Sequence, residues 1–424
     1  MQIGLFLYKC LTWIISPFLG MVMKTRVRNG KERADRVNER FAKDLSTRPD
    51  GKLIWFHAAS VGESLIQLEL IERLVDKNAP HFSVLITCQT ATAAQRISDR
   101  IFSSAFGRTV TIQQMAPLDT SAIVKRFLDH WQPNACIYAE GEIWPNQLLE
   151  IERRQIPAAL INTRMTQKSI AGWARWPRTA SRVFGVFTAI LTSDTQTQLG
   201  LQGILKHPLP RPGNLKSALP PPDIDAVELQ NWTRALTGRR VLLAASTHSP
   251  EERSIIEAWQ NMTESPFLII APRHPERGEE LANMLEEKQV KFTRLTESRA
   301  IIPGSNVLLA DTLGEMGLWY RLADTVYLGG GHAPHIGGHN PLEALQLNKP
   351  VLTGPDQYNF RDMADTLAAY VGYTVIHNIS DLSEHFPAPA PSPEMMDYLS
   401  RTAEAPMQET LEALRPMLAK VGLS

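Results

Sequence analysis

DTVYLGGGHAPHIGGHNPLEALQLNKPVLTGPDQYNF, from Asp324 to Phe360, decides how this chain is read. A short apolar strand over Thr325–Leu328 enters a glycine-rich loop with His332, His335 and His339. A helix starts near Asn340, and a second strand over Pro350–Thr353 runs into another glycine and proline. Strand, loop, helix and strand make an αβ crossover unit, and the loop falls where such sheets bind ligands. Asn340 suits the N-cap, Pro341 the first helical position and Glu343 the third, so the helix start is well specified. Gly329, Gly330 and Gly331, like Gly337 and Gly338, let backbone approach a ligand with no Cβ in the way. An anion or nucleotide at the helix start would meet free amides. A well-capped helix of an ordinary α/β protein would carry the same residues.

Outward from this unit the same rhythm repeats. Short apolar runs at Lys52–Phe56, Phe82–Thr87, Val110–Gln113, Ala135–Ala139, Ala158–Ile161 and Ala189–Leu191 alternate with helical patterns. These helices run over Leu65–Val75, from Ala91, over Ser121–His130 and beyond Trp144, and Ser193 or Asp194 caps another. A proline-rich segment, His207–Pro222, reads as a linker. Beyond it come strands at Val241–Ala245, Phe267–Ala271, Lys291–Arg294 and Val307–Ala310, a helix capped by Ser249 with Pro250 and Glu252, and another over Met316–Leu322. The pattern predicts an α/β chain of two Rossmann-like domains with parallel sheets and a site in the cleft between them. The expected divisions are a membrane-associated segment over 1–23, an N-terminal domain over 24–206, the linker over 207–222, a C-terminal domain over 223–390, and a helical tail over 391–424.

The 424 residues suffice for two separate cores, and 44 basic against 44 acidic residues give no argument for a nucleic-acid partner. Cys10, Cys88 and Cys136 sit in apolar contexts without ligand spacing, as reduced thiols do. Ile3–Met23 is apolar apart from Lys9, Ser16 and Pro17, and a basic run follows: Lys24, Arg26, Arg28, Lys31, Arg33, Arg36 and Arg40. This segment reads as a spanning anchor, an interfacial helix or a helix docked on the protein. In the first two cases the basic run lies on the cytoplasmic side and favours anionic headgroups or phosphorylated lipids.

Chemistry-bearing residues cluster after the strands. His57, Ser60, Gly62 and Glu63 lie between the first strand and its helix. A carboxylate there could take a proton from an acceptor hydroxyl, although a helix N-terminus lowers its basicity unless burial offsets it. Glu140 and Glu142 in YAEGEIWPN follow another strand, as acids of a site or of a wet loop. In the second half Ser246, Thr247 and His248 follow one strand and Arg273, His274 and Arg277 the next, where an arginine fork suits a phosphate. No GxxxxGK[ST] occurs, and the loop histidines lack the spacing of zinc ligands, so no metal site is expected.

Taken together, HAASVGE, EGEIWPN, INTRM, GNLK, AASTH, PRHPER, DTLGEMGLWYRLAD, GGHNPLEA and PVLTGPDQYNF resemble the signature set of the 3-deoxy-D-manno-octulosonic acid (Kdo) transferases of lipopolysaccharide synthesis, glycosyltransferase family 30. The resemblance covers nearly the whole chain. It implies a GT-B fold and inverting transfer from CMP-Kdo to a tetra-acylated, bis-phosphorylated lipid A precursor, lipid IVA. It also implies that no cofactor or metal is needed and that the enzyme sits at the cytoplasmic face of the inner membrane. The family's base falls on Glu63, with His57, Ser60, Gly62, Glu140 and Glu142 on the acceptor side. Arg273, Gly337, Gly338, Asn340 and Glu343 fall on the donor side, with Asn214, Lys216, Ser246 and Thr247 at or near the cleft. Three departures stand out: EGEIWPN where an acid and threonine commonly precede the acid, extra histidines before GGHN, and SALPPP after GNLK.

Overall fold

The computed structural model describes residues 2–30, 32–75, 82–103, 109–221 and 224–423. Lys31 of the basic run, positions 222 and 223 at the linker's end, and the two terminal residues lie outside the described residues. The apolar runs of the first half become strands β1 (Lys52–Ala58), β2 (Phe82–Cys88), β3 (Thr111–Met115), β4 (Ala135–Ala139), β5 (Ala158–Thr163) and β6 (Phe187–Thr192). They pair in the order β3-β2-β1-β4-β5-β6, every pair parallel. Both faces are covered, which is why the strands are apolar throughout rather than alternating. Ile54, Phe56 and Ile137 pack on one side, and Leu53, Trp55 and Tyr138 on the other.

The second half gives β7 (Val241–Thr247), β8 (Phe267–Pro272), β9 (Phe292–Arg294), β10 (Val307–Leu309), β11 (Thr325–Leu328), β12 (Val351–Thr353) and β13 (Tyr373–Val375). Their order is β13-β12-β11-β7-β8-β10-β9, again all parallel. The sequence gives no sign of β13, a three-residue edge strand too short for periodicity to reveal. Two helices between β5 and β6, Gln167–Ala174 and Pro177–Phe184, also escape a sequence reading. Each is little more than two turns, and Pro177 interrupts the pattern between them. In each sheet the winding reverses beside the first strand, between β1 and β4 and between β7 and β11. The carboxyl ends of strands at such points open a crevice for ligands.

Contacts divide the chain into one unit of residues 1–219 with 402–424, and another of 220–401. The last helix, Pro393–Lys420, serves both cores: Met395 and Leu399 pack in the second unit, Met407, Leu414 and Met417 in the first.

At the N-terminus, helices Ile3–Ile15 and Leu19–Arg28 join through a 3-10 turn, and together they are long and apolar enough to cross a membrane. One stripe of this segment is committed to the first unit. Leu5 is buried, the Tyr8 hydroxyl donates to Asp119 Oδ2 at 2.8 Å, and Asn146 Nδ2 donates to Thr12 Oγ1 at 3.2 Å. Part of the basic run is used inside the protein, while Lys24, Arg28 and Arg33 remain exposed. Arg40, 2 % exposed, pairs with Glu32 and donates to the Ala116 carbonyl, Arg36 pairs with Glu39, and Arg33 with Asp35. Arg36 and Arg40 tie the chain entering β1 to the sheet edge.

Candidate functional site

β1 leaves the sheet at Ala58 and turns at Ser60 into the helix Val61–Leu74. Ser60 Oγ accepts from the Glu63 amide at 3.3 Å and donates to Glu63 Oε1 at 2.8 Å, while Glu63 Oε2 accepts from the Ala59 amide at 2.8 Å. This reciprocal cap holds the carboxylate in one orientation. Capping and catalysis are therefore compatible roles for the same side chain. Burial raises the Glu63 carboxyl above its ordinary range, and the Glu140 and Glu142 charges add to this, whereas the Ala59 amide and Ser60 hydroxyl oppose it. Desolvation wins over the helix N-terminus.

Around Glu63 the first unit assembles Glu140, Lys216, Asn162 and Asn214. Glu140 follows β4 with φ +53°, and its Oε1 receives Lys216 Nζ at 2.8 Å and Asn162 Nδ2 at 3.3 Å. Lys216 Cε lies 3.6 Å from where a side chain on Gly62 would begin, so the lysine reaches over the helix start that carries Glu63. Asn214 caps the 3-10 turn Leu215–Ala218 by accepting from the Lys216 amide, and Asn162 Oδ1 accepts from the Leu215 amide at 2.9 Å. Asn214 and Lys216, grouped in sequence with the donor residues, thus stand beside Glu63 and Glu140. Asn162 was not singled out in sequence; its place at the end of β5 in INTRM was the available signal.

His57 is fully buried on β1. Its Nδ1 faces Thr87 Oγ1 at 2.9 Å and its Nε2 faces Glu142 Oε2 at 3.2 Å. Trp55 Nε1 donates to the same Thr87 oxygen at 2.8 Å, and because the Glu142 carboxylate can only accept, His57 Nε2–H donates to it. Burial acts to raise the Glu142 carboxyl, but the His57 ring and the Trp144 indole outweigh it and hold it below the usual range. His57 is thus a buried hydrogen-bond partner of Glu142.

In the second unit, β7 ends with a register slip at Ser246, whose φ is +52°, and with Thr247, fully buried and with no hydrogen-bond partner for Oγ1 among the described residues. The following helix, Glu251–Gln260, starts at Pro250 without the side-chain cap expected of Ser249. Glu251 instead turns inward, 1 % exposed. It accepts from the Gly330 amide at 2.8 Å, the His332 amide at 3.0 Å and the His248 amide at 3.1 Å. The glycine loop after β11 is therefore moulded on an internal carboxylate. Its glycines make room for protein: a Cβ on Gly329 would meet Ser246 O at 2.7 Å, and one on Gly331 the Gly354 amide at 2.6 Å. Gly337 and Gly338, at φ +75° and +77°, fit against Tyr358 and Gln357. A side chain at either position would therefore meet protein. Asn340 Oδ1 does accept from the Leu342 amide at 3.2 Å, although regular helix begins one residue later than expected, at Leu342, so Glu343 sits in its first turn.

The three loop histidines separate. His332 Nδ1 faces the Tyr327 hydroxyl at 2.9 Å, His335 is an exposed turn residue, and His339 Nε2 faces His248 Nε2 at 2.8 Å with the rings stacked. Burial lowers both members of that pair, His339 to about 4, with neighbouring His274 and Arg273 adding to the effect. In PRHPER, Arg277 is already tied to Glu252 and Glu280, whereas Arg273 is exposed and makes no ion pair among the described residues.

Residues 35–219 match the family model described as 3-Deoxy-D-manno-octulosonic-acid transferase (kdotransferase). The 3-deoxy-D-manno-octulosonic acid transferase of Bordetella pertussis is 32% identical over 326 residues, 74% of each chain. The chain belongs to the Kdo transferase family. That of Haemophilus influenzae is 28% identical over 428 residues, 97% of each chain. Among solved structures, the UDP-GlcNAc 2-epimerase of Neisseria meningitidis bound to UDP-GlcNAc matches with a TM-score of 0.52 at 13% identity, covering 86% of this chain and 100% of that one. This Kdo transferase accordingly has a GT-B-type fold of two Rossmann-like lobes with an apolar N-terminal helix, and it is a glycosyltransferase of lipopolysaccharide synthesis.

Proposed function

We propose that the enzyme moves Kdo from CMP-Kdo to the distal sugar of a tetra-acylated, bis-phosphorylated lipid A precursor, with inversion, at the cytoplasmic face of the inner membrane. The observation that carries this reading is Glu63: a carboxylate at a switch point, fixed by Ala59 and Ser60 and held above its ordinary pKa range by burial. Such a group is oriented and basic enough to accept a proton from an acceptor hydroxyl. The freed oxygen forms the new bond to the anomeric carbon as the bond to the CMP phosphate breaks, and the leaving phosphate carries away the electron pair. Arg273, exposed and without an ion pair among the described residues, is suited to that phosphate, and Ser246, Thr247, Asn340 and Glu343 stand on the same unit to hold the nucleotide. Lys216, Glu140 and Asn162 keep the Glu63 side of the reaction in register. The single displacement uses no metal and no covalent intermediate.

Mass spectrometry of the tetra-acyl precursor after incubation with CMP-Kdo tests the proposal. A gain of one or more Kdo masses is expected, and an unchanged acceptor under conditions where a known transferase works would refute the substrate assignment.

A further inference from the structure

The N-terminal segment is amphipathic in a way its composition conceals. Leu5, Tyr8, Thr12, Leu19 and Met23 form a stripe that is buried or half-buried, while Trp13, at 78% exposed, stands with Ile3, Leu11, Phe18 and Met21 on the opposite face. The inward stripe runs nearly the length of the segment, and its polar contacts reach Asp119 and Asn146. Crossing a bilayer would carry those polar groups into hydrocarbon, where irregular and polar structure is costly. Lying in the interface exposes only the apolar face to lipid.

Beside this helix a pocket of about 780 Å³ is lined by Gly4 and Lys9 from the helix, by Arg175 and Trp176 from the turn before the helix Pro177–Phe184, and by Arg178 in that helix's first turn. Lys9, Arg175 and Arg178 make no ion pair among the described residues, whereas Arg182 on the same rim is neutralised by Glu152. Trp176 is half exposed, as an aromatic at headgroup level is. Cations without an ion pair among the described residues, an interfacial tryptophan and an apolar helix face meet here, while Arg26, Arg33, Arg36 and Arg40 of the basic run are paired elsewhere. None of the pocket's lining belongs to the group around Glu63.

We propose that this pocket binds the headgroup phosphate of an anionic bilayer phospholipid and so fixes the depth and tilt at which the enzyme lies on the membrane. The inference rests on membrane insertion of the N-terminal helix, and the test separates the two. Full-length wild type and an Arg175→Gln/Arg178→Gln variant are floated with vesicles of phosphatidylcholine alone or with added phosphatidylglycerol. Removing both cations should lower partition into the anionic vesicles about 30-fold and leave partition into neutral vesicles unchanged. Wild-type partition of the variant into anionic vesicles overturns the site, as does an equal loss on neutral vesicles. Failure of the wild type to bind either vesicle overturns the insertion itself. In detergent, the acceptor KM should be the same for both proteins; a tenfold rise would give the pocket to the acceptor and overturn the phospholipid assignment.

Discussion

At the switch point of the first sheet, Lys216 pairs with Glu140 and reaches over the helix start that carries Glu63, Glu142 is held by His57, and burial raises the Glu63 carboxyl. At the switch point of the second, Glu251 is spent on backbone amides, burial favours the neutral forms of the stacked histidines His248 and His339, and Arg273 makes no ion pair among the described residues. Both crevices open at the carboxyl ends of parallel strands. Their side chains differ, and under the proposed displacement that difference divides the labour. One crevice can take up a proton, and the other can take up a phosphate's negative charge.

The largest expected effect breaks the comparison on its acidic side. Glu63→Gln keeps the shape of the cap and should lower kcat by roughly 10²–10⁴-fold with donor affinity unchanged; ordinary turnover in that variant would end the assignment of the base. Its stability should also carry a signature. The folded carboxyl lies above its unfolded value, so wild type loses stability as pH rises through the folded pKa. The glutamine variant escapes that loss, and thermal unfolding should find it the more stable protein at neutral pH, with the gap closing in acid. Next comes Glu251→Ala, which strips the acceptor from the Gly330, His332 and His248 amides. At about 1–3 kcal/mol for each buried donor left unpaired, the second unit should lose several kcal/mol in denaturant titrations. A mild loss would mean that the loop is not moulded on this carboxylate. Arg273→Ala should leave the fold intact and weaken CMP binding by about 10–100-fold in calorimetry, with Lys restoring part of it; full affinity in the alanine variant would leave the second crevice without its anion holder.

Legibility in the sequence followed the range of the interaction. The strands show as buried apolar runs, and Glu63 shows because strand, turn, Ser60 and helix are neighbours in the chain. Pairings across sheets do not show. Nothing local says that Lys216 reaches Glu140, or that Glu251, which reads as a first-turn acid of its own helix, points back into a loop some eighty residues later. The glycines of the opening stretch were visible, but their reason was not. Gln357, Tyr358 and Gly354 fill the space each missing Cβ leaves, and that depends on how two loops fold over one another. The basic run misleads for the same cause: Arg40 looks like a surface charge until Glu32 and the Ala116 carbonyl are brought around it.

The smallest expected effect sharpens the comparison on its cationic side. With 2.8 Å between the two Nε2 atoms, His248 and His339 share one proton, one ring donating and the other presenting a bare nitrogen. Burial and the nearby cations hold His339 at about 4 against an ordinary 6.5. A depressed folded value means the stability is present above the unfolded pKa and is lost as pH falls from 6.5 toward about 4. His339→Gln should flatten the unfolding midpoint over that window. A bound phosphate reverses the local preference, because it favours protonation of the same pair. CMP affinity in wild type should therefore rise as pH falls through the window and change less in the glutamine variant. Equal slopes for the two proteins would mean that the histidine pair lies too far from the phosphate to feel it, leaving Arg273 to act alone.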